Sequence, residues 1–328
     1  MKVNSLNLKI GIFFVFIFSF FLLKAQTCCS GGIPLSNNIG LAILEKGTTQ
    51  IGISYDYNNL NTLNNGSENL DDNARLRITH SVLMNVSYAI TDKFSVEGLL
   101  TWVNQRRKIT QFGNENLDQT SGIGDGLILL KYSFPKFTGK NTILNLGVGT
   151  KVPFGSSTKK SNQGIVFNAD LQPGSNAWDV IYWLSISKSF NFRPSFNVSS
   201  RFIFRSTGTN NSYFGDSTYE FGNEFQTFLG FSDQFLLFKT TASPSISFKY
   251  RNVRQDKIGG FNLENTGGNW VSVIPNFSIN IKPTIVFFTK AEIPIYNNVD
   301  GTQLTPTYRL TSGILFTIAS KKDFLILN

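Results

Sequence analysis

Between Ile78 and Ile90 apolar and polar residues alternate. Ile78, Val82, Met84, Val86, Tyr88 and Ile90 fall on one side of an extended chain, and Thr79, Ser81, Asn85 and Ser87 on the other. From 192 to 205, Phe192, Phe196, Val198, Phe202 and Phe204 oppose Arg193, Ser195, Asn197, Ser199, Arg201 and Arg205. From 235 to 250, Leu236, Phe238, Ala242, Ile246 and Phe248 oppose Lys239, Thr241, Ser243, Ser245, Ser247 and Lys249. Successive side chains on a strand point to opposite faces, so each segment has one apolar and one wet side. A soluble sandwich alternates too. These segments, however, run to roughly ten to fifteen residues, enough for a tilted bilayer-crossing strand of about 9–11, whereas soluble strands peak near five or six. Their apolar faces also carry Trp, Tyr and Phe near the ends, as interfacial girdles do.

The pattern predicts strands near 48–58, 78–90, 94–107, 122–134, 142–152, 176–189, 192–205, 218–231, 235–250, 269–281, 284–295 and 304–318. Tight links at Thr91-Asp92-Lys93, Asn191, Ser232-Asp233-Gln234 and Lys282-Pro283 alternate with longer polar stretches near 59–77, 108–121, 153–175, 206–217, 251–268 and 296–303. Short turns on one side, long loops on the other and an even strand count describe a bacterial outer-membrane barrel. The expected fold is all-β: an antiparallel up-and-down transmembrane β-barrel of about 12 strands, with short periplasmic turns and long extracellular loops.

The first two dozen residues differ in kind. Lys2 and Lys9 precede an apolar run from Ile10 to Leu23, which Lys24-Ala25-Gln26 closes. This is the layout of a secretory signal, and the run is short for a transmembrane helix. Cleavage after Ala25 is expected, with 26–46 a periplasmic tail or small plug and 47–328 the barrel. Thr27 before Cys28 fits lipidation poorly, since that motif needs a small residue there. The net charge of +9 falls to +6 once Lys2, Lys9 and Lys24 are removed, with no acid lost. The remaining charge is dispersed through strands, where a nucleic-acid binder would cluster it.

Three stretches occur in a fixed order: Gly122-Ile123-Gly124-Asp125-Gly126 with Lys131-Tyr132, then Lys151-Val152-Pro153-Phe154-Gly155, then Leu171-Gln172-Pro173-Gly174-Ser175-Asn176-Ala177-Trp178-Asp179. In this order and spacing the chain resembles the outer-membrane channel family named for the MetA pathway of phenol degradation. That family is described as transporter-like and loosely related to fatty-acid-type channels. Asn176 stands where the pattern would have a glycine. The resemblance implies an outer-membrane passage for small molecules, apolar or aromatic ones among them, and does not identify the solute.

Alternation points Asp125, Lys131 and Lys151 inward, with Asp179 beside them, which makes these four a candidate solute mouth or constriction on the long-loop side. The same residues could equally shape the rim and hold register. A second set, Arg193, Arg201, Arg205, Glu220 and Glu224, forms a candidate luminal charge ladder. Antiparallel pairing around 206–217 brings Arg205 and Arg201 towards Glu220 and Glu224, either to set pore polarity or to fill a narrow barrel.

His80 is the only histidine, and Ser81 follows it. Neighbours on a strand point to opposite faces, so the two cannot act as base and nucleophile, and no enzyme is expected. Cys28 and Cys29 could form a vicinal disulfide, cross-link to a partner or offer thiolates to a soft metal, but no complete metal site is expected from two sulfurs without a nearby histidine. The glycines of 122–126 open a strand and lack the Lys-Ser/Thr of a phosphate loop. No cofactor is expected. Expected partners are the lipid bilayer and lipopolysaccharide, the barrel-assembly machinery and a small-molecule solute, with no nucleic acid. Two function classes stay open: a passive outer-membrane channel, or a structural or adhesive barrel whose loops or N-terminal tail bind a partner.

Overall fold

The structure, a computed structural model, describes residues 39–214 and 217–319. The signal segment 1–25, its cleavage after Ala25, and Cys28 and Cys29 lie outside the described residues. Twelve long strands close on themselves. They are β1 (Thr49–Asn65), β2 (Arg75–Ala89), β3 (Phe94–Gln111), β4 (Gly126–Pro135), β5 (Thr142–Val152) and β6 (Asp179–Phe190). The second half is β7 (Arg193–Ser206), β8 (Glu224–Ser232), β9 (Thr240–Val253), β10 (Gly268–Lys282), β11 (Ile285–Val299) and β12 (Thr302–Ile318). Each pairs antiparallel with the next, and β1 pairs with β12 from Thr49↔Ile318 to Asn65↔Thr302. Closure leaves no sheet edge, which lipid would not tolerate.

The alternation in the sequence becomes the two sides of this wall. On β2, Val82, Met84 and Tyr88 are exposed, and Ser81, Leu83, Asn85 and Ser87 are buried. Ile53, Leu100, Trp102, Ile128, Leu130, Tyr182, Phe204 and Phe248 continue the outward apolar belt. Such a continuous surface far exceeds the few hundred Å² a soluble monomer tolerates, so lipid covers it. Aromatic clusters mark its borders. Tyr57, His80 and Tyr308 sit together towards the long-loop end, with Tyr57 centred 5.4 Å from His80 and 5.9 Å from Tyr308. Phe190, Phe192 and Phe196 sit near the short-turn end, the first pair 5.4 Å apart.

All twelve strands match the expected ones in order, and several boundaries move. The stretch near 108–121, read as a long loop, is a β-hairpin in which β3 pairs with Asn114–Ile123 before β4 begins. The stretch near 296–303 is strand on both sides of Asp300-Gly301, because alternation there is masked by Asn and Thr, which suit a strand above the membrane border. Likewise β1 runs to Asn65, seven residues into the expected loop 59–77. Between β11 and β12 the ladder runs only from Ile285↔Phe316 to Glu292↔Arg309. Beyond it, Pro294 and Pro306 lack the N–H a ladder needs, and Asn297 Nδ2 reaches Asn64 Oδ1 at 3.4 Å and Thr305 Oγ1 at 3.5 Å.

Two features cover the ends of the barrel. At the long-loop end, Thr209–Phe214, Ser217–Glu220, Lys257–Ile258 and Phe261–Asn262 form a separate small sheet. Ala169, Ala177, Tyr213, Tyr219 and Phe221 pack into its apolar core. At the other end, Lys46 N–H donates to Asp92 Oδ1 at 2.8 Å and Gly47 N–H to the Ala89 carbonyl, which ties the chain to the short-turn rim before β1 rises.

Candidate functional site in the barrel lumen

The upper lumen carries charges that alternate in sign from strand to strand. Lys151 at the end of β5 pairs with Asp179 at 2.9 Å and Asp125 at 3.5 Å. Arg205 on β7 lies 3.6 Å from Asp179 and 2.8 Å from Glu224, and Arg251 on β9 reaches Glu224 at 2.5 Å. These groups stand at the ends of neighbouring strands because β4 to β9 all reach the rim at this level. Three of the four expected mouth residues, Asp125, Lys151 and Asp179, therefore meet.

Their remaining bonds go to the loops. The Asp125 carboxylate accepts from Gly155 N–H at 3.2 Å and from Ser175 N–H and Oγ–H at 3.0 and 2.6 Å, while Lys151 donates to Ser175 Oγ at 2.6 Å. Asp179 accepts from Gly208 N–H at 3.0 Å. Gly155 and Gly174 touch backbone to backbone: a Cβ on Gly174 would lie 2.3 Å from the Gly155 carbonyl carbon, so the loop 153–178 closes this tightly only with glycine. The short turn Ala169–Leu171 then drops into the mouth, where Arg77 binds Asp170 at 3.0 Å and Gln105 donates to the Gln172 carbonyl at 3.2 Å. The glycines, prolines and acids of the three sequence motifs thus fasten a cap over the barrel.

Within that cap, Asp256 accepts from Tyr219 Oη–H at 2.5 Å and Gly222 N–H at 2.7 Å. Burial pushes the Asp256 carboxyl above its ordinary range despite those donors. Burial, and then the Asp256 charge, push the Tyr219 phenol well above its own.

Lys131, the fourth expected mouth residue, lies elsewhere. It points inward, but six residues beyond Asp125, which is about 20 Å along a strand. It forms a fully buried pair with Glu97 at 2.7 Å. That pair receives the segment before β1. Gly40 N–H donates to both Glu97 oxygens at 3.1 and 3.2 Å, Leu41 N–H to one at 3.0 Å, and Lys131 donates to the Leu41 carbonyl. Arg201 donates to the Ile39 carbonyl at 3.2 Å. Gly40 lies on the Trp183 ring, where a Cβ would come within 2.6 Å, and its φ of +95° suits glycine alone. Residues 39–41 therefore lie in the lumen, and the chain then runs to the short-turn rim at Lys46.

The expected charge ladder is half assembled. Arg205 meets Glu224 where antiparallel order had put Glu220 first, and Arg201, expected beside Glu224, lies opposite Phe228 and stacks over its ring at 4.1 Å. Glu220 pairs with Thr209 and Lys257 in the small outer sheet, because the chain leaves the barrel before Glu224. Arg193 sits at the short-turn rim, paired with Asp233 at 2.5 Å. His80 points outward, with Nδ1 2.6 Å from Tyr55 Oη, and Ser81 points inward.

The lumen is also less polar than expected. Leu83, Leu99, Leu127, Leu129, Ile181, Trp183, Ile203, Phe228 and Ile274 are buried together with Ile39 in one inward cluster. In the sequence these residues stand at the polar parity of their strands, as Leu83 does between Ser81 and Asn85, and that break in pattern was the available signal.

No protein-family model matches the chain, and no curated protein sequence matches it. Among solved structures, an outer-membrane channel from Pseudomonas putida F1 is similar at 14% identity, with 87% of this chain and all of that one covered and a TM-score of 0.67. Looser likenesses include the β domain of the Bordetella autotransporter BrkA, at 10% identity, 83% and 100% coverage and a TM-score of 0.47. The NanC porin follows at 9% identity, with 82% of this chain and 98% of that one covered and a TM-score of 0.46. At such identity the first of these establishes the fold, an outer-membrane β-barrel.

Proposed function

We propose that this protein is an outer-membrane channel through which small molecules, apolar or aromatic ones among them, pass down their gradient without covalent chemistry. The observation that carries this reading is the inward apolar cluster. Barrel interiors are ordinarily polar, and these leucines, Ile181, Trp183 and Phe228 face inward but are buried under Ile39, so they would give a slightly water-soluble molecule a surface to move along once the segment containing Ile39 is displaced. The Pseudomonas neighbour, whose name describes an outer-membrane channel, supports it. So does the resemblance carried by the three motifs, whose residues fasten the cap over the outer mouth.

In this reading the chain is exported with cleavage after Ala25, is inserted by the barrel-assembly machinery and sits among lipopolysaccharide. Solute enters beneath the cap and leaves past the segment 39–46, so that segment limits the flux. The decisive experiment is liposome swelling with small aromatic and sugar solutes, on the intact mature protein and on a variant lacking 26–46. Swelling that increases when 26–46 is removed is the expected result. A barrel that admits no solute in either form would leave the anchor for adhesive loops as the better reading.

A further inference from the structure

The lipid-facing side of the barrel changes character towards the long-loop end of β2 and β3. Val82, Trp102 and Ile123 form one row across paired strands, and all three are exposed members of the apolar belt. Two residues further along, the same face turns polar. His80, Asn104 and Ser121 form the next row, and Ile78, Arg106 and Gln119 the one after. Such rows are about 7 Å apart along the strand. The headgroup layer is about 5–7 Å deep on each side of the hydrocarbon. On a tilted strand the first polar row therefore lies within that layer and the second at its outer edge.

The donors of these rows are left for an outside group. Tyr55 Oη engages His80 Nδ1 at 2.6 Å, and the Tyr57 ring stands edge-on at 5.4 Å, so Nε2 is the ring nitrogen that remains. Gln119 Nε2 donates to Asn104 Oδ1 at 3.2 Å, which leaves the Asn104 N–H donors. Arg106 is exposed and makes no ion pair among the described residues. The carboxylates of the adjoining hairpin are already engaged, Glu115 by Lys108 at 2.5 Å and Asp118 by Arg107 at 2.8 Å. The rim on the opposite side of the barrel differs. There Tyr250 Oη and Asn252 Nδ2 both donate to Asn269 Oδ1 at 2.8 Å, so the polar groups satisfy one another.

We propose that these rows bind a phosphate of lipopolysaccharide in the outer leaflet, held by Arg106, His80 and Asn104, with its acyl chains below against Trp102, Ile123 and Val82. A guanidinium presents a planar fork to two oxygens of one phosphate, and the imidazole and amide add single donors. Opposite and diagonal neighbours on paired strands lie about 5–8 Å apart, a separation that a phosphate hydrogen-bonded on two sides fills. The occupant is a lipid and not a dissolved anion, because the polar rows continue without a break into the apolar belt beneath them. The proposal rests on the outer-membrane placement and not on the passage of any solute, so the swelling assay and this site stand or fall separately.

In the test, the full mature protein in detergent is titrated with lipid A carrying its phosphates and with lipid A stripped of them by phosphatase. Occupancy is followed by native mass spectrometry. The phosphorylated lipid is expected to bind about tenfold more tightly. Arg106→Gln combined with His80→Gln should remove that difference, whereas Asn269→Ala on the opposite rim should leave it intact. All three side chains face outward, and heat-modifiable gel mobility shows that each variant is folded. Equal affinity for the two lipids, a preference that survives in the double variant, or one that Asn269→Ala also removes overturns the site. Displacement of lipid A by inorganic phosphate at the same concentration overturns the assignment to a lipid.

Discussion

The two ends of the lumen use charge differently. At the outer mouth, Asp125, Lys151, Asp179, Arg205, Glu224 and Arg251 run in alternating sign, and their spare oxygens are taken by the N–H groups of Gly155, Ser175 and Gly208. Further in, one fully buried pair, Lys131 and Glu97, gives its remaining bonds to the backbone of Gly40 and Leu41 beside an inward apolar cluster. Carboxylates bound both by opposite charges and by loop N–H groups hold those loops in place. A single buried pair bound to a backbone segment holds that segment against the inner wall.

The largest test of this contrast is Glu97→Ala. It leaves Lys131 buried without its partner and releases Gly40 and Leu41, and breaking a buried pair costs about 3–5 kcal/mol. Urea unfolding should show that loss, and single-channel conductance should rise as 39–46 leaves the lumen. Wild-type values in both would mean that the segment is not held by this pair. A smaller effect is expected at the mouth from Asp125→Asn combined with Asp179→Asn, since each weakened charge-assisted bond costs about 1–3 kcal/mol. Limited proteolysis within 153–178 and 207–223 should speed up at least tenfold, and solute flux should change with the barrel intact. Faster cleavage with unchanged flux would reduce these acids to scaffold.

The smallest effect concerns pH and the cap. Asp256 has a folded-state pKa raised above its unfolded value, chiefly by burial, so the ionised form is penalised in the folded cap. That penalty is present above the folded pKa and disappears as pH falls through it. Arg205 and the Tyr219 and Gly222 donors partly offset it, and Asp170 adds to it. Cap cleavage should therefore slow modestly on passing from neutral to mildly acidic buffer. Asp256→Asn should flatten that dependence, and an unaltered slope in this variant would place the titrating group elsewhere.

Part of the site could be read from residue order. Asp125, Lys151 and Asp179 adjoin turn-forming glycines and prolines at strand ends, and antiparallel strands put such ends on one rim. That Arg205 and Glu224 face inward followed from alternation, but the register that pairs them did not. Glu220 followed neither, because where the chain leaves the barrel depends on the apolar cluster of Tyr213, Tyr219 and Phe221, which no period in the sequence reveals. Glu97 and Gly40 are 57 residues apart and meet through a backbone N–H, which every residue but proline possesses.

The sequence alone determined the strand count, the meander and which side chains face lipid, because these depend on a two-residue period acting between neighbours. Tertiary structure decided the inward apolar cluster, the residues 39–41 lying in the lumen and the cap over the mouth. Each of these arises from groups distant in the chain competing for the same enclosed volume, and that competition is settled only when the sheet closes.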